Sequence, residues 1–326
     1  MSSSAPVVVI GAGISGVQCA RELRAAGIPV RLIDRGWRIG GRMGGKRIDD
    51  RHVDLGASYF TVSDDGFAEV VEAAEGAGVV RRWTDTFTAL SDEGSEQKQG
   101  PQRWGAGDGG LRGFVEHLAH DVDVQHPVAV DSVTLEGEHL KVDGQTAPAI
   151  VLAMPDEQAS RLLGPALAHI AERLQRRFEP TLALAAGFDS RSWDRDGWFV
   201  NDDDVIEWIA DDGARRGDGA AVLVAHSTPQ FARPHLEDPR AAAPAMVEAL
   251  QKVLDLSEPR WTHLHRWSLA KPAGDRDERY LLEQVGDAGT AGLVGVCGDG
   301  WGPVSKVEGA WSSGRDLGRA LAARLT

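Results

Sequence analysis

Residues 7–27 read VVVIGAGISGVQCARELRAAG, and this stretch decides the fold. A short β-branched run opens it, the glycine-rich turn GAGISG follows, and a helical pattern completes it. In this order the three elements predict the first βαβ unit of a parallel sheet, with a dinucleotide pyrophosphate at the helix N-terminus. Gly11 permits the turn, Gly13 lets the backbone approach the phosphates, and Gly16 lets the helix lie close to the strand. The alternative is a structural turn that binds nothing.

The next segment distinguishes between two dinucleotides. A second strand is predicted at residues 29–34, and Asp34 stands where a carboxylate accepts hydrogen bonds from an adenosine ribose. The loop RGWRIGGRMGGKR follows, in which Gly41 and Arg42 permit close approach and a forked contact with phosphate oxygens. An NAD domain has no need of this second loop, so the pattern favours FAD over a merely flexible basic segment. VDLGASYFT (53–61) then places small residues where a bulky ring could lie against the backbone.

The other end of the chain carries a second glycine-rich block, GLVGVCGDGWGPVSKVEGAWSSGRDLGRAL. Residues 293–297 predict a buried strand, and Asp299 follows its C-terminal end. There its carboxylate can accept hydrogen bonds from the hydroxyls of a ribityl chain. A helix from near Val307 would direct its positive end at electron density on a reduced ring. The alternative is an ordinary crossover from strand to helix with an N-capping acid.

Composition excludes several classes of partner. The chain has 326 residues and a net charge of -14, which disfavours nucleic acid and anionic membrane surfaces. Two cysteines, Cys19 and Cys297, are too few for a disulfide framework or a thiolate metal site. MSSSAPVVVIG leads into the first strand without a leader pattern, and no segment has the apolar length of a membrane span. We therefore expect a soluble protein of the reducing cytoplasm, without a metal.

The middle of the chain reads as helices followed by strands. Residues 65–77 and 109–120 have helical periodicity, and the hydrophilic stretch SDEGSEQKQGP between them is predicted to be a solvated loop. Short strands are expected over 128–151, then helical sequence to about residue 177. Strand signals recur over 181–268, with one helix near 239–255 and a tight turn at DDGARRGDG. This second half concentrates tryptophans, which suit either a sheet facing a planar ligand or an ordinary core: Trp193, Trp198, Trp208, Trp261 and Trp267.

These motifs together resemble the GR2-type flavoproteins of the amine oxidase superfamily, and more narrowly the renalase-like proteins. The resemblance rests on GAGISG, LIDRG, IGGRM, VDLGASYF, VLAMP, AHSTPQF, HRW and CGDGWGPVSKVEGAWSSG. It implies an α/β fold: a Rossmann-type FAD-binding domain, p-hydroxybenzoate hydroxylase-like, with an interleaved α+β substrate domain built on an antiparallel sheet. The expected FAD-binding domain comprises residues 1–62, 106–177 and 286–326, and the substrate domain 63–105 and 178–285.

For function, the resemblance implies noncovalent FAD and an oxidase that moves hydride from 2- or 6-dihydro isomers of NAD(P) to the flavin. O2 then reoxidises the flavin and H2O2 is released. His226, Trp267 and Trp301 are the expected residues of the substrate face. The expected cofactor contacts are Gly11, Gly13, Ile14, Ser15, Gly16, Asp34, Arg35, Gly41, Arg42, Met43, Ala57, Ser58, Tyr59, Val128, Asp299, Val307 and Ala310.

Three departures from the family pattern bear on the chemistry. Ser58 stands in a block where the family often has glutamine. Cys297 precedes GDG, does not match the cysteinyl-flavin position of monoamine oxidases, and is expected to act as a small buried hydrophobe. Lys271, beside Pro272 in an expected loop, does not identify the usual lysine and water of amine oxidases.

Hydride loss from a dihydropyridine restores aromaticity, so orientation matters more than acid-base machinery. His226 is expected to bind a substrate amide, and the pair His263 and His265 is expected on a strand surface rather than at a metal. Two other functions stay open. One is an amine oxidase or desaturase with an apolar substrate; the other is a noncatalytic flavin-binding redox protein.

Overall fold

The structure is a computed structural model that describes residues 5–286 and 292–326. The start expected to lack a leader, Met1–Ser4, lies outside these residues. The strands are β1 (Val7–Ile10), β2 (Val30–Ile33), β3 (Gly45–Ile48), β4 (Arg51–Asp54), β5 (Val80–Ser91), β6 (Gly94–Ala106), β7 (Val124–Gln125), β8 (Val133–Glu136), β9 (His139–Val142), β10 (Gln145–Thr146), β11 (Ala149–Leu152), β12 (Phe178–Gly187), β13 (Gly197–Val200), β14 (Ile206–Asp211), β15 (Val222–Ser227), β16 (Trp261–Pro272), β17 (Leu281–Val285) and β18 (Gly292–Val296). The helices are α1 (Ile14–Ala25), α2 (Asp65–Gly76), α3 (Gly110–Leu118), α4 (Asp156–Leu162), α5 (Ala168–Ala171), α6 (Asp212–Arg216), α7 (Pro229–Ala232), α8 (Ala243–Leu254) and α9 (Val307–Leu325).

The chain forms two compact units. The first comprises Met1–Gly41, Val115–Phe178 and Pro272–Thr326, and the second comprises Arg42–Phe114 and Glu179–Lys271. The interleaving follows from a chain that leaves the first unit and returns to it twice. Which unit binds FAD and which binds substrate is a matter of ligands, so those assignments remain predictions.

The first unit is built on a sheet of strand order β17, β18, β11, β1, β2, β7. Neighbours from β18 to β7 are parallel, and β17 adds an antiparallel edge. β1, β11 and β18 are buried along their whole length, as expected for central parallel strands covered on both faces. A small antiparallel meander, β8 to β10, belongs to the same unit. This is the predicted Rossmann-type α/β fold.

Small residues let helix α9 lie directly on α1. A Cβ built on Gly314 would stand 2.0 Å from the Ser15 carbonyl oxygen, and one on Gly318 would stand 2.9 Å from the Cys19 carbonyl oxygen. Both distances are too short for a real side chain. The last helix of the chain therefore packs against the helix that follows the first glycine turn.

The second unit contains a sheet of strand order β16, β12, β15, β14, β13, β5, β6. The pairs from β12 to β13 are antiparallel, β13 and β5 are parallel, and β5 and β6 form a long hairpin. One face buries an apolar core that includes Leu184, Ile209 and Met246 of α8. The other face packs on Val53 and Leu55. The predicted antiparallel sheet is therefore present, although β13 and β5 within it are parallel, and its role in binding a substrate remains a prediction.

Three local predictions were wrong. SDEGSEQKQGP is not a loop: it forms the end of β5, a turn at Asp92 and Glu93, and the exposed start of β6. β6 is the edge strand of its sheet, where charged side chains guard against pairing with other chains, so its polarity reflects the edge position. DDGARRGDG contains the short helix α6, ended by Gly217 at φ +82°, and Lys271 lies in β16 rather than in a loop.

Candidate functional site

The first glycine turn is shaped by close backbone contacts. Gly11 has φ +106°, and a Cβ there would meet the Ala153 carbonyl oxygen at 2.5 Å. A Cβ on Gly16 would stand 1.9 Å from the Gly11 carbonyl oxygen. A Cβ on Gly13, by contrast, would meet nothing within 4 Å among the described residues. Gly11 and Gly16 are thus required by packing, whereas Gly13 borders open space.

That open space lies at the N-terminus of α1. Gly13 is the N-cap residue and offers no side chain to the first-turn amides, and the early residues Ile14 and Ser15 are buried. Gly41, at φ +52°, approaches the same point: its Cβ would lie 3.5 Å from the Gly13 Cα. First-turn N–H groups without a side-chain cap are a ready site for a phosphate.

Asp34 braces this turn from the next strand. Its Oδ2 accepts a hydrogen bond from the Ala12 N–H at 2.7 Å, and its Oδ1 accepts one from the Gly36 N–H at 2.7 Å. Each carboxylate oxygen can accept a further bond, so a ribose hydroxyl can still be bound. The Val128 N–H donates to the Asp34 carbonyl at 2.8 Å, which places Val128 beside it, and Arg35 is exposed.

The C-terminal glycine block forms a tight loop in the same unit. Gly298 and Gly302 have φ +149° and +103°, and the Gly298 N–H donates to Ser313 Oγ of α9 at 3.1 Å. Asp299 is half-buried and accepts a hydrogen bond from Ser305 Oγ at 3.1 Å. Val307 and Ala310 lie in the first turn of α9, whose N-cap has no side-chain hydrogen bond. The predicted cofactor contacts lie in the first unit, except for five in the second: Arg42, Met43, Ala57, Ser58 and Tyr59.

Two arginines that the sequence did not single out hold this loop. Arg176 donates through Nη1 to the Gly300 carbonyl at 2.7 Å and through Nε to the Ala273 carbonyl at 3.2 Å. The Arg276 guanidinium lies 3.9 Å from the centre of the Trp301 ring. Burial, and after it the charge of Arg276, lowers the pKa of Arg176. Trp301, expected at the substrate face, is only 4% exposed and belongs to the core of the first unit.

Both cysteines are buried thiols. Burial raises the pKa of Cys297 to about 12 against the opposing hydrogen bond with Ser15. Burial likewise raises the pKa of Cys19 well above its ordinary value. A thiol with so little thiolate at neutral pH is a poor nucleophile, which agrees with the small hydrophobic role expected for Cys297.

In the second unit, the loop predicted to face a ring is held by its own backbone. The Ala57 N–H donates to the Arg42 carbonyl at 2.9 Å, and a Cβ on Gly56 would lie 2.0 Å from that same oxygen. Arg42 donates through Nη1 to the Ala270 carbonyl at 3.0 Å, and Met43 is buried. Gly56 is therefore required by packing within the protein, and the ring expected beside this backbone remains a prediction.

Ser58 and Tyr59 sit among aromatic side chains. Trp208 donates through Nε1 to Ser58 Oγ at 2.9 Å, and Arg215 donates through Nη1 to the Ser58 carbonyl at 2.9 Å. The Tyr59 ring centre lies 5.2 Å from that of Phe87 and 5.7 Å from that of Trp208. Burial raises the pKa of Tyr59, so its hydroxyl is neutral at physiological pH. Ser58 thus serves as the hydrogen-bond acceptor for the Trp208 indole.

Cross-strand register brings the predicted substrate residues onto one face of the sheet. Trp208 of β14 pairs with His226 of β15, which pairs with Ala183 of β12. Directly opposed residues point to the same face. Trp267 packs against the apolar cluster that includes Ala183 and donates through Nε1 to the Leu55 carbonyl at 2.7 Å. The described face therefore combines His226 with two fixed indoles.

His226 is a buried, neutral imidazole. Burial, and after it the charges of Lys271 and Arg215, lowers the pKa of His226 to about 3 against an opposing hydrogen bond with the Leu55 backbone. Its Nε2 is buried and has no hydrogen-bond partner, so the Leu55 carbonyl must be served by Nδ1–H. Nε2 is then a lone-pair acceptor, and the ring cannot act as a base near neutral pH.

The charged side chains described next to this face form ion pairs with one another. Lys271, in β16, forms an ion pair with Glu207 of β14. Behind the Ser58 loop, Asp212 is fully buried and forms ion pairs with Arg51 and Arg215. Arg215 also donates to the Asp54 carbonyl at 3.1 Å. Sequence reasoning saw only a turn in this segment, because nothing in the string DDGARRGDG indicates which charges become buried.

Acid should destabilise the protein partly through His226. An unfolded histidine has a pKa of about 6.5, so between that pH and about 3 the unfolded chain binds a proton that the folded chain excludes. Folding stability from this residue is complete above pH 6.5 and falls by about 1.4 kcal/mol per pH unit below it. Urea unfolding at pH 7.0 and 5.3 measures the effect, and H226N should lose about 1.5 kcal/mol less than the parent. Equal losses in both proteins would contradict the buried neutral state.

Within the described residues, no helix is long and apolar enough to cross a membrane, and no group of three metal-ligating side chains comes together. His263 and His265 lie on β16, where burial lowers the pKa of each. The histidine pair is therefore on a strand, as the sequence predicts.

Comparison with solved structures supports the fold. A protein named as a candidate protoporphyrinogen oxidase from Exiguobacterium sp. 255-15 matches 99% of this chain and 100% of its own, with a TM-score of 0.78 at 15% identity. Cyclohexylamine oxidase from Brevibacterium oxydans IH-35A covers 99% of each chain, with a TM-score of 0.75 at 15% identity. Putrescine oxidase bound to putrescine covers 98% and 99%, with a TM-score of 0.71 at 15% identity.

Sequence comparisons agree with the structural ones. Hydroxyneurosporene desaturase of Rubrivivax gelatinosus is 43% identical over 56 residues, which are 17% of this chain and only 11% of the desaturase. An NAD(P)-binding Rossmann-like domain matches residues 9–73. The family of flavin containing amine oxidoreductases matches residues 65–321, most of the chain. The protein thus belongs to the flavin containing amine oxidoreductase family.

Proposed function

We propose that the protein is an FAD-dependent oxidase of a small cyclic reductant, with the 2- and 6-dihydro isomers of NAD(P) as its substrates. The observation that carries this proposal is His226, a buried neutral imidazole with an unused acceptor beside two indoles. Such a face binds a flat, neutral, hydrogen-bonding ring. The substrate class also favours a cytoplasmic location.

The residues of the first unit fit FAD. A pyrophosphate suits the open space in front of Gly13, where α1 starts without a side-chain cap and Gly41 approaches. Asp34 suits the adenosine ribose, and Asp299 suits the ribityl chain. Bound FAD supplies a hydride acceptor whose electrons pass to O2. Burial keeps both thiols protonated, which supports noncovalent binding of FAD over attachment through a cysteine.

The chemistry of a dihydropyridine matches what this chain offers. The overall reaction is dihydropyridine plus O2 plus a proton giving pyridinium plus H2O2, and breaking the substrate C–H bond requires no base. An aliphatic amine is an ammonium at neutral pH and must first lose a proton. His226 cannot take it with a pKa of about 3, and the ammonium of Lys271 is already paired with Glu207.

The protein's contribution is then orientation. Trp267 and Trp208 are fixed by hydrogen bonds to Leu55 and Ser58, so their ring positions are set before a ligand arrives. A preset aromatic surface lowers the ordering cost of binding a planar substrate. Trp301, with 4% exposure and Arg276 on its ring, is better placed to support the Asp299 loop than to stack on a substrate.

Steady-state turnover tests the proposal. We expect O2 uptake with stoichiometric H2O2 on addition of a dihydro-nicotinamide isomer preparation, and at least 100-fold lower kcat/KM with putrescine or cyclohexylamine. Ordinary 4-dihydro NADH is the matched control, since it differs only in the position of the reducing hydrogen. Turnover of amines at the higher rate would assign the protein to amine oxidation. Turnover of an apolar alkene precursor alone would assign it to desaturation, and no turnover with any of them would favour a redox-binding protein.

A further inference from the structure

Two buried polar atoms on the paired strands β12 and β15 have no hydrogen-bond partner among the described residues. They are Nε2 of His226 and Oγ1 of Thr181, in residues that are 9% and 2% exposed. An unsatisfied buried polar group costs about 1–3 kcal/mol, so two on one surface call for an explanation.

Register places the two side chains beside each other. Ala183 of β12 pairs directly with His226 of β15, and no bulge interrupts this ladder. Thr181 precedes Ala183 by two residues, so its side chain points to the same face of the sheet. Thr181 is therefore the diagonal neighbour of His226. Diagonal neighbours lie about 7–8 Å apart at their Cα atoms, close enough for one small polar group to reach both side chains.

The two atoms have complementary hydrogen-bonding capacity. Because Nδ1–H of His226 serves the Leu55 backbone, Nε2 accepts and requires a donor. The Thr181 hydroxyl is able to donate. A primary carboxamide presents an N–H donor and a carbonyl acceptor on one flat group. A carboxylate has no donor, and a ketone has no N–H.

Charges around the pair favour a neutral ligand group. Lys271 and Arg215 both act on His226 as positive charges, and their anionic partners are Glu207 and Asp212. An ammonium would meet two cations, whereas an amide N–H supplies the donor without a charge. The surrounding indole of Trp208 suits a ring attached to the amide.

We propose that Thr181 and His226 form a subsite for the planar primary carboxamide of the substrate, with the amide N–H donating to His226 Nε2 and the Thr181 hydroxyl donating to the amide carbonyl. This inference rests on the proposed function, because a nicotinamide ring carries such a group. Thr181 thereby becomes a specificity residue that the sequence did not indicate.

The first test separates binding from folding. T181V removes an unsatisfied hydroxyl at nearly constant shape, so the melting temperature of the free protein should stay equal or rise. The same change should weaken binding of NAD+, the oxidised product, by about tenfold, which corresponds to one hydrogen bond of about 1.4 kcal/mol. Titration of the FAD-loaded protein, followed by flavin absorbance, measures the affinity. T181S should bind like the parent.

T88V is the matched control. Thr88 is 6% exposed in the same sheet, but it pairs with Trp198, which lies in the core of the opposite face. Its substitution should leave NAD+ affinity within twofold of the parent. A tenfold loss in T88V would mean that buried threonines act through the sheet as a whole and would overturn the subsite.

The second test exchanges the ligand group. The parent should bind NAD+ about tenfold more tightly than its 3-acetylpyridine analogue, which lacks the amide N–H, and more tightly than the nicotinic acid analogue. H226N keeps an N–H for Leu55 but has no atom at the Nε2 position, so its preference for NAD+ over the acetyl analogue should vanish. H226Q can restore an acceptor and should regain part of the preference for NAD+ over the acetyl analogue.

The outcomes distinguish the subsite from the proposed function. If dinucleotide isomers are oxidised but T181V binds NAD+ as the parent does, an ordered water fills the pair and the inference is wrong while the function stands. If no dinucleotide binds, benzamide is the probe: binding that T181V weakens tenfold supports the subsite and overturns the function. If neither binds, or if T181V is strongly destabilised, the inference is overturned.

Discussion

Valine in place of Gly13 is expected to leave the protein folded and to abolish its FAD binding. A Cβ at this position meets no described atom within 4 Å, and the backbone at φ -75° and ψ 175° accepts a β-branched residue. Loss of a favourable N-cap residue costs about 1 kcal/mol or less. The new methyl groups would occupy the space in front of the α1 amides, where a phosphate is proposed to bind. We expect at least a 100-fold rise in the FAD dissociation constant.

The measurement pairs flavin content with stability. Absorbance of the purified G13V protein should show little bound flavin, while its apo form should melt within a few degrees of the parent apo form. G16A is the contrasting control, because its Cβ would lie 1.9 Å from the Gly11 carbonyl oxygen and must disrupt the turn itself. Full flavin occupancy in G13V would show that this turn is structural only.

Replacement of Asp212 by asparagine should destabilise the second unit by about 3–5 kcal/mol. Asp212 is fully buried, and its carboxylate pairs with Arg51 and Arg215 and lies 3.7 Å from Arg216 Nε. Asparagine keeps the shape but removes the charge, which leaves three guanidiniums with less compensation. Because Arg215 also binds the Ser58 and Asp54 carbonyls, the loop that carries Ala57 and Tyr59 should loosen as well.

Urea unfolding of D212N and D218N measures the effect. Asp218 is the matched control, since it pairs with the same Arg51 but its side chain is 36% exposed, so D218N should cost about 1 kcal/mol or less. Burial would raise the pKa of Asp212, but the three arginines outweigh it and lower the pKa. Its stabilising charge is therefore present above about pH 4 and lost only on stronger acidification. Equal losses in both variants would contradict a buried anchor.

The parts of the fold that sequence predicted are those governed by local rules. The strand, glycine turn and helix at residues 7–27 have steric requirements at Gly11 and Gly16 that can be anticipated from the motif alone. The same kind of local pattern predicts β18, the glycine-rich loop after it, and α9. The exposed start of β6 was misread because its polar sequence resembles a loop until its position at a sheet edge is known.

The candidate site was less accessible to sequence reasoning. His226 and Trp267 came from resemblance, whereas Thr181, Arg215 and Arg176 carried no local signal. Their importance depends on which strands pair and which charges become buried, and these are long-range properties. Thr181 in TLALAAGF reads as one more strand residue until its hydroxyl is found without a partner, diagonal to a neutral imidazole on the next strand.

Anaerobic mixing of the FAD-loaded protein with a purified dihydro-nicotinamide isomer tests the central claim most directly. The account predicts rapid bleaching of the oxidised-flavin absorbance, no bleaching with putrescine or cyclohexylamine, and return of the colour with H2O2 on admission of air. Bleaching by the amines while the isomers leave the flavin oxidised would contradict it.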